Sequence, residues 1–194
     1  MIIFAKLDGA TRGFIVPKGA TGLQVREERE KFMGLNALPF HHVTLEKASI
    51  PASNLLPGDF APVLDAQRVA IASMAVGVAR AAFEYARDYA KERDVFGMKV
   101  AQKQAIAFML AEMATEIEAV RLLVWEAAWA LDNKKEDAGQ KAYVAVGAAS
   151  DMAMMVTDRA VQILGGHGYI REHPVEMWMR EGRGFSAFTG LAMV

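Results

Sequence analysis

The apolar periodicity after position 60 limits what this chain can fold into more than any other feature. From about Pro62 to Leu164 apolar side chains recur at helical spacing, and the pattern breaks only near 94–98 and 133–137. Ile71, Met74, Ala75, Val78, Ala82, Ala86 and Tyr89 form one face of a helix read from about Pro62 to Arg93. Ile106, Met109, Leu110, Met113, Ile117, Val120, Val124 and Leu131 form a stripe on a second, from about Lys99 to Asp132. Ala145, Ala149, Met152, Val156, Ala160 and Ile163 mark the core side of a third, from about Ala138 to Leu164. A fourth starts near Pro174, where proline suits a helix N-terminus, and carries through Arg180. Long helices on short turns predict an antiparallel up-down four-helix bundle.

Residues 1–57 have a different character. Ile2–Leu7, Gly13–Pro17, Leu23–Arg26 and Val43–Leu45 are short apolar or β-branched runs, punctuated by Asp8-Gly9, Lys18-Gly19 and Thr21-Gly22. Pro51 and Pro57 bracket a boundary loop, Ile50–Phe60. The expected fold is therefore mainly α: a partial antiparallel β region over 1–57, then a bundle domain over 58–194. Three or four short strands cannot bury both faces of a sheet. The β part thus reads as the back half of a larger sheet domain, in a truncated gene product or beside a partner chain that supplies the rest.

Composition excludes several functions. The 194 residues are 53% hydrophobic and 23% charged, as a globular core requires, and the net charge of -1 gives no electrostatic case for nucleic acid or an acidic membrane surface. The absence of cysteine rules out disulfides, thiolate chemistry and a cysteine zinc site. No signal peptide is seen at Met1-Ile-Ile-Phe-Ala, and no run is read as long and charge-free enough to span a bilayer. A cytoplasmic protein without a membrane span is expected.

Two segments make ligand-facing corners. In Ala160–Met179 the third helix runs into Gly165-Gly166-His167-Gly168. Three glycines in four residues bare the backbone to something large, and Gln162 stands one turn before them. Glycines also simply end helices. In Glu92–Gly97 the chain turns at Phe96-Gly97. This is either a glycine cap beside a satisfied arginine, or an anion site where Arg93 offers a planar cationic fork. Phe96 would then cover an aromatic ring, and Gln104 would add an amide. Asp65 and Arg68 open the first helix. Either Asp65 favours the helix dipole while Arg68 is solvated, or both point into a ligand cleft. No metal is expected, because adjacent His41 and His42 point to opposite faces of a strand, and His167 and His173 lack ligand spacing.

Taken together, ERDVFG (92–97), KQAIAFMLAEMA (103–114), AVQILGGHGY (160–169) and HPVEMWMRE (173–181) resemble acyl-CoA dehydrogenases, above all medium- and short-chain members. The segments from Gly13 through Glu30–Gly34 to Ile50–Leu56 resemble the second half of that family's middle β domain. The resemblance covers the chain to about Arg183. It implies FAD-dependent α,β-dehydrogenation of an acyl-CoA thioester, with a glutamate taking the α proton, the β hydrogen leaving as hydride to the flavin, and an electron-transferring flavoprotein as acceptor. It also implies that Arg93 pairs with the FAD pyrophosphate of a neighbouring subunit, that Phe96 and Gln104 line the same site, and that Gln162, Gly165 and Gly166 contact the adenosine half. Asp65 and Arg68 match positions facing the acyl-CoA cleft. Sharing a cofactor in this way needs at least a dimer, and the family is usually a tetramer, a dimer of dimers.

The chain departs from the pattern where the base belongs. Thr189 occupies the usual glutamate position, and Gln67 occupies the alternative one on the first helix; neither is a carboxylate. The family's amino-terminal helical domain and the β segment that holds the isoalloxazine ring have no counterpart here. The resemblance thus leaves three forms: a dehydrogenase fragment, a non-catalytic FAD-sharing subunit beside a full-length partner, or a related flavin-dependent oxidase or monooxygenase.

Overall fold

Four helices carry most of the chain in the structure, a computed structural model that describes residues 1–191, with side chains through Phe188. They are α1 (Ala61–Glu92), α2 (Gln104–Asp132), α3 (Ala138–Leu164) and α4 (Val175–Leu191). Helix α3 packs on all three others, and α1 also touches α2 and α4, giving the up-down bundle.

The third helix buries its whole expected face, Ala145, Ala149, Met152, Val156, Ala160 and Ile163. The second buries Met113, Ile117, Val120 and Val124 and completes the stripe with Ala127 and Ala130. Helix α1 departs from expectation only in part: Ala75, Ala82 and Ala86 are buried as expected, and Ile71, Val78 and Tyr89 pack at the edge of the core. Its buried face is Ala72, Ala75, Val76, Ala79, Ala82, Ala86 and Ala90, while Met74 is 61% exposed. Alanines recur at helical spacing here too, and they let α1 and α3 approach closely while the bulkier residues move to the flanks. By length and composition α1 is apolar enough to cross a bilayer, contrary to the sequence reading, but its buried residues pack into the bundle core.

Two helix ends also differ. Helix α4 runs on past Arg180 through Gly182 and Gly184, which helix propensity alone disfavours. Both glycines serve close packing: a Cβ at Gly182 would lie 2.7 Å from the Thr157 hydroxyl, and one at Gly184 would lie 2.6 Å from the Leu35 side chain. Helix α2 starts at Gln104 rather than Lys99, because a hairpin and a 3-10 turn over Val100–Gln102 precede it.

The N-terminal strands pair as two separate antiparallel hairpins. Strand β1 (Ile2–Leu7) faces β2 (Ala10–Ile15) across Asp8-Gly9, both at positive φ, the tight turn that suits a two-residue hairpin. That turn sets Ala10 opposite Leu7, so β2 begins before the expected Gly13. Strand β3 (Leu23–Arg29) faces β4 (His41–Leu45) with a register shift between Val25 and Arg29. The loop between β3 and β4 docks on α4: the Leu35 N–H donates to the Glu181 carboxylate at 2.9 Å, and Phe32, Phe40, Phe188 and Phe185 form a chain of ring contacts.

Candidate functional site: a cationic, glycine-edged groove at one end of the bundle

Helix α1 ends in an extended cap at Arg93, whose N–H still donates to the Tyr89 carbonyl at 2.9 Å. A short hairpin follows, β5 (Asp94–Val95) against β6 (Met98–Lys99). Its turn residues Phe96 and Gly97 have φ of 54° and 77°. Gly97 tolerates this; Phe96 does so at a cost, since a bulky side chain is rarely left-handed. The result is a ring held 96% exposed. Strain of this kind at an exposed aromatic points to a use for the ring. Lys99 takes up Asp94 at 2.7 Å and the Glu92 carbonyl at 2.9 Å. Arg93 is left with no carboxylate partner among the described residues. No protein group among the described residues holds the exposed guanidinium, which leaves it open to an anion.

Each glycine of the second corner has its own reason. Gly165 caps α3 at φ 58° and ψ -128°, a backbone region that side chains rarely enter. Gly168 is buried, and a Cβ there would overlap the Val161 carbonyl oxygen. Gly166 is exposed, and a Cβ there would come no closer to protein than 3.9 Å from the Tyr169 hydroxyl. Nothing in the fold requires Gly166 to be glycine.

A groove of about 400 Å³ joins the two corners. It brings Arg93 together with Gly165 and Gly166, and adds Tyr89, Lys103 and His167 over an apolar wall that includes Ile106 and Leu164. Phe96, Gln104 and Gln162 are exposed and do not line it. The support beneath the groove is almost invisible in the sequence. The Tyr89 hydroxyl and His167 Nδ1 share a hydrogen bond at 2.9 Å, and Tyr85 and His173 Nδ1 share one at 2.8 Å. The two imidazoles stack with centroids 5.1 Å apart. This ladder fastens the glycine turn to α1. Its one visible signal is the i, i+4 spacing of Tyr85 and Tyr89.

Another groove of about 400 Å³, between α3 and α4, presents Asp151 and Asp158 with a single cation, Arg183, and so repels phosphate. Among the described residues no cluster suits a metal ion. The His41 ring is engaged by the Arg26 carbonyl at 3.0 Å.

Asp65 and Arg68 bind each other at 2.6 Å and are half-buried. Asp65 packs on Gly139, and the Arg68 guanidinium lies 5.7 Å from the Tyr143 ring centre. Arg68 is therefore not the solvated residue of the simpler reading. The two residues lie roughly 40 Å from Arg93 along α1 at the helical rise. No dinucleotide on this chain reaches both ends. Gln67 is exposed beside them. The Thr189 side chain lies outside the described residues. On α4, the Arg180 guanidinium hydrogen-bonded to Glu176 holds that carboxyl below the usual carboxylate range.

A family model for the acyl-CoA dehydrogenase C-terminal domain matches residues 61–192. The chain belongs to the acyl-CoA dehydrogenase family. The caffeyl-CoA reductase–Etf complex subunit CarC of Acetobacterium woodii is 39% identical to it, over all of this chain and 53% of its own length. Cyclohex-1-ene-1-carbonyl-CoA dehydrogenase of Syntrophus aciditrophicus is 41% identical, over 91% of this chain and 44% of its own length. The butyryl-CoA dehydrogenase structure from Megasphaera elsdenii superposes with a TM-score of 0.81 at 33% identity, over 99% of this chain and 53% of that one. This family member thus spans about half the length of the curated relatives it matches.

Proposed function

We propose that this chain supplies the half-site that grips FAD in an acyl-CoA dehydrogenase assembly, with the flavin shared between copies. The observation that carries this reading is the groove itself: an unpaired arginine facing a turn whose Gly165 and Gly166 leave the backbone bare. A pyrophosphate fits that donor set. Arg93 offers two parallel N–H donors to phosphate oxygens, and the glycines admit the adenosine half. Phe96, Gln104 and Gln162 lie outside the groove lining and are free to meet the cofactor where it leaves for a second chain.

Bound FAD would accept the hydride from the β carbon of an acyl-CoA. The Asp65–Arg68 pair, about 40 Å away on α1, would orient the acyl-CoA of a different cofactor. That separation supports sharing across at least a dimer, and a dimer of dimers agrees with it. An electron-transferring flavoprotein is the proposed acceptor, in keeping with a relative that is a subunit of an Etf complex.

Gln67 favours a second reading. An amide in a base position accepts no α proton, so the chain also suits a non-catalytic, FAD-sharing subunit or a flavin oxidase whose base lies elsewhere. Both readings make the same prediction for the groove. Arg93→Ala should strip FAD from the assembled oligomer, measured as flavin absorbance per protein after gel filtration. Full flavin retention in Arg93→Ala would remove the basis of the proposal.

A further inference from the structure

We infer that Lys103 is a second phosphate ligand in the groove, and that the Arg93–Lys103 pair makes the groove select a diphosphate over a monophosphate. This rests on the reading of the groove as a phosphate site. Lys103 is the residue before α2 and lines the groove together with Arg93, the residue after α1, so two separate elements each bring one cation to the same space. Its ammonium has no carboxylate partner among the described residues. The acid nearest in sequence on the intervening hairpin, Asp94, is held by Lys99 at 2.7 Å. Lys103 instead lies 5.6 Å from the Phe96 ring centre. A ring face steadies a cation without neutralising it, so the charge remains available to an anion. The strained, exposed Phe96 thereby gains a role on this chain as well: it holds the lysine over the groove. One phosphate engages one of the two cations well. Two linked phosphates engage both, and each charge-assisted contact adds to the discrimination.

The test is an NMR titration of the 194-residue chain with ADP and, separately, with AMP, following backbone amides of the groove. The wild type should bind ADP about tenfold more tightly than AMP. Lys103→Met should bring that ratio down to about twofold or less by weakening ADP alone, while Lys103→Arg should keep most of it. Phe96→Ala should give a smaller fall in the same direction. An unchanged ratio in Lys103→Met, with ADP binding abolished by Arg93→Ala, would overturn the role of Lys103 and leave the phosphate groove standing. If neither nucleotide shifts the groove amides of the wild type, both fall. Circular dichroism of each variant separates loss of binding from loss of fold.

Discussion

Replacing Gly166 with alanine separates a glycine kept for a ligand from one kept for the fold. The added methyl group would meet no protein atom closer than 3.9 Å, and the residue lies outside the left-handed region. The folded chain therefore accommodates it, and the unfolded chain loses freedom, for a gain of about 0.4–1 kcal/mol. In a chain of this length that raises Tm by about 1–4 °C. The methyl group occupies the space through which a ligand would approach the backbone. Losing one charge-assisted hydrogen bond there costs about 1.5–3 kcal/mol, tenfold or more in affinity. The assays are thermal unfolding by circular dichroism and FAD retained by the assembled oligomer after gel filtration. A stability gain with flavin retention unchanged would refute the argument that this glycine serves a ligand. A fall in Tm of several degrees would refute the geometry on which it stands.

Other substitutions probe the frame around the groove. Gly168→Ala should do the opposite of Gly166→Ala, lowering stability by about 1–3 kcal/mol in a urea titration, because its methyl group would overlap the Val161 carbonyl. Met113→Ala removes the largest fully buried side chain among the described residues and should cost about 2–5 kcal/mol, seen as a lower urea midpoint with an unchanged m value. Glu176 has its pKa lowered in the folded state by Arg180, so its contribution is present above the ordinary carboxylate value and is lost as pH falls through the lowered one. The pair is partly exposed, so Glu176→Gln should cost less than about 1 kcal/mol near neutral pH and flatten the acid limb of urea midpoints.

The residues show why some of this fold was legible in the chain and some was not. Helix α3 was read to its ends, because its buried face is almost continuous and polar turn residues and glycines punctuate it. On α1 hydrophobicity ranks Met74 above alanine, whereas the close approach to α3 selects the smaller side chain and leaves Met74 exposed. Gly182 and Gly184 lie past Arg180, where the expected fourth helix stops. Their reason lies in Thr157 and Leu35, which are distant in sequence. The same holds at the groove. Arg93 and the glycines stand in local motifs, but Tyr89 meets His167 across 78 positions, and Lys103 reaches the site only because the hairpin after Arg93 folds back. Phe96 was picked out as an aromatic at a turn, and only its backbone angle shows that the fold holds it outward under strain.

The most direct test of the central claim is a structure of the FAD-loaded oligomer. The pyrophosphate should lie within hydrogen-bond reach of Arg93 in one copy, about 3 Å, with the adenosine half against Gly165 and Gly166. The flavin end should extend toward a different copy. FAD held wholly within a single copy, or bound away from Arg93, would contradict the account.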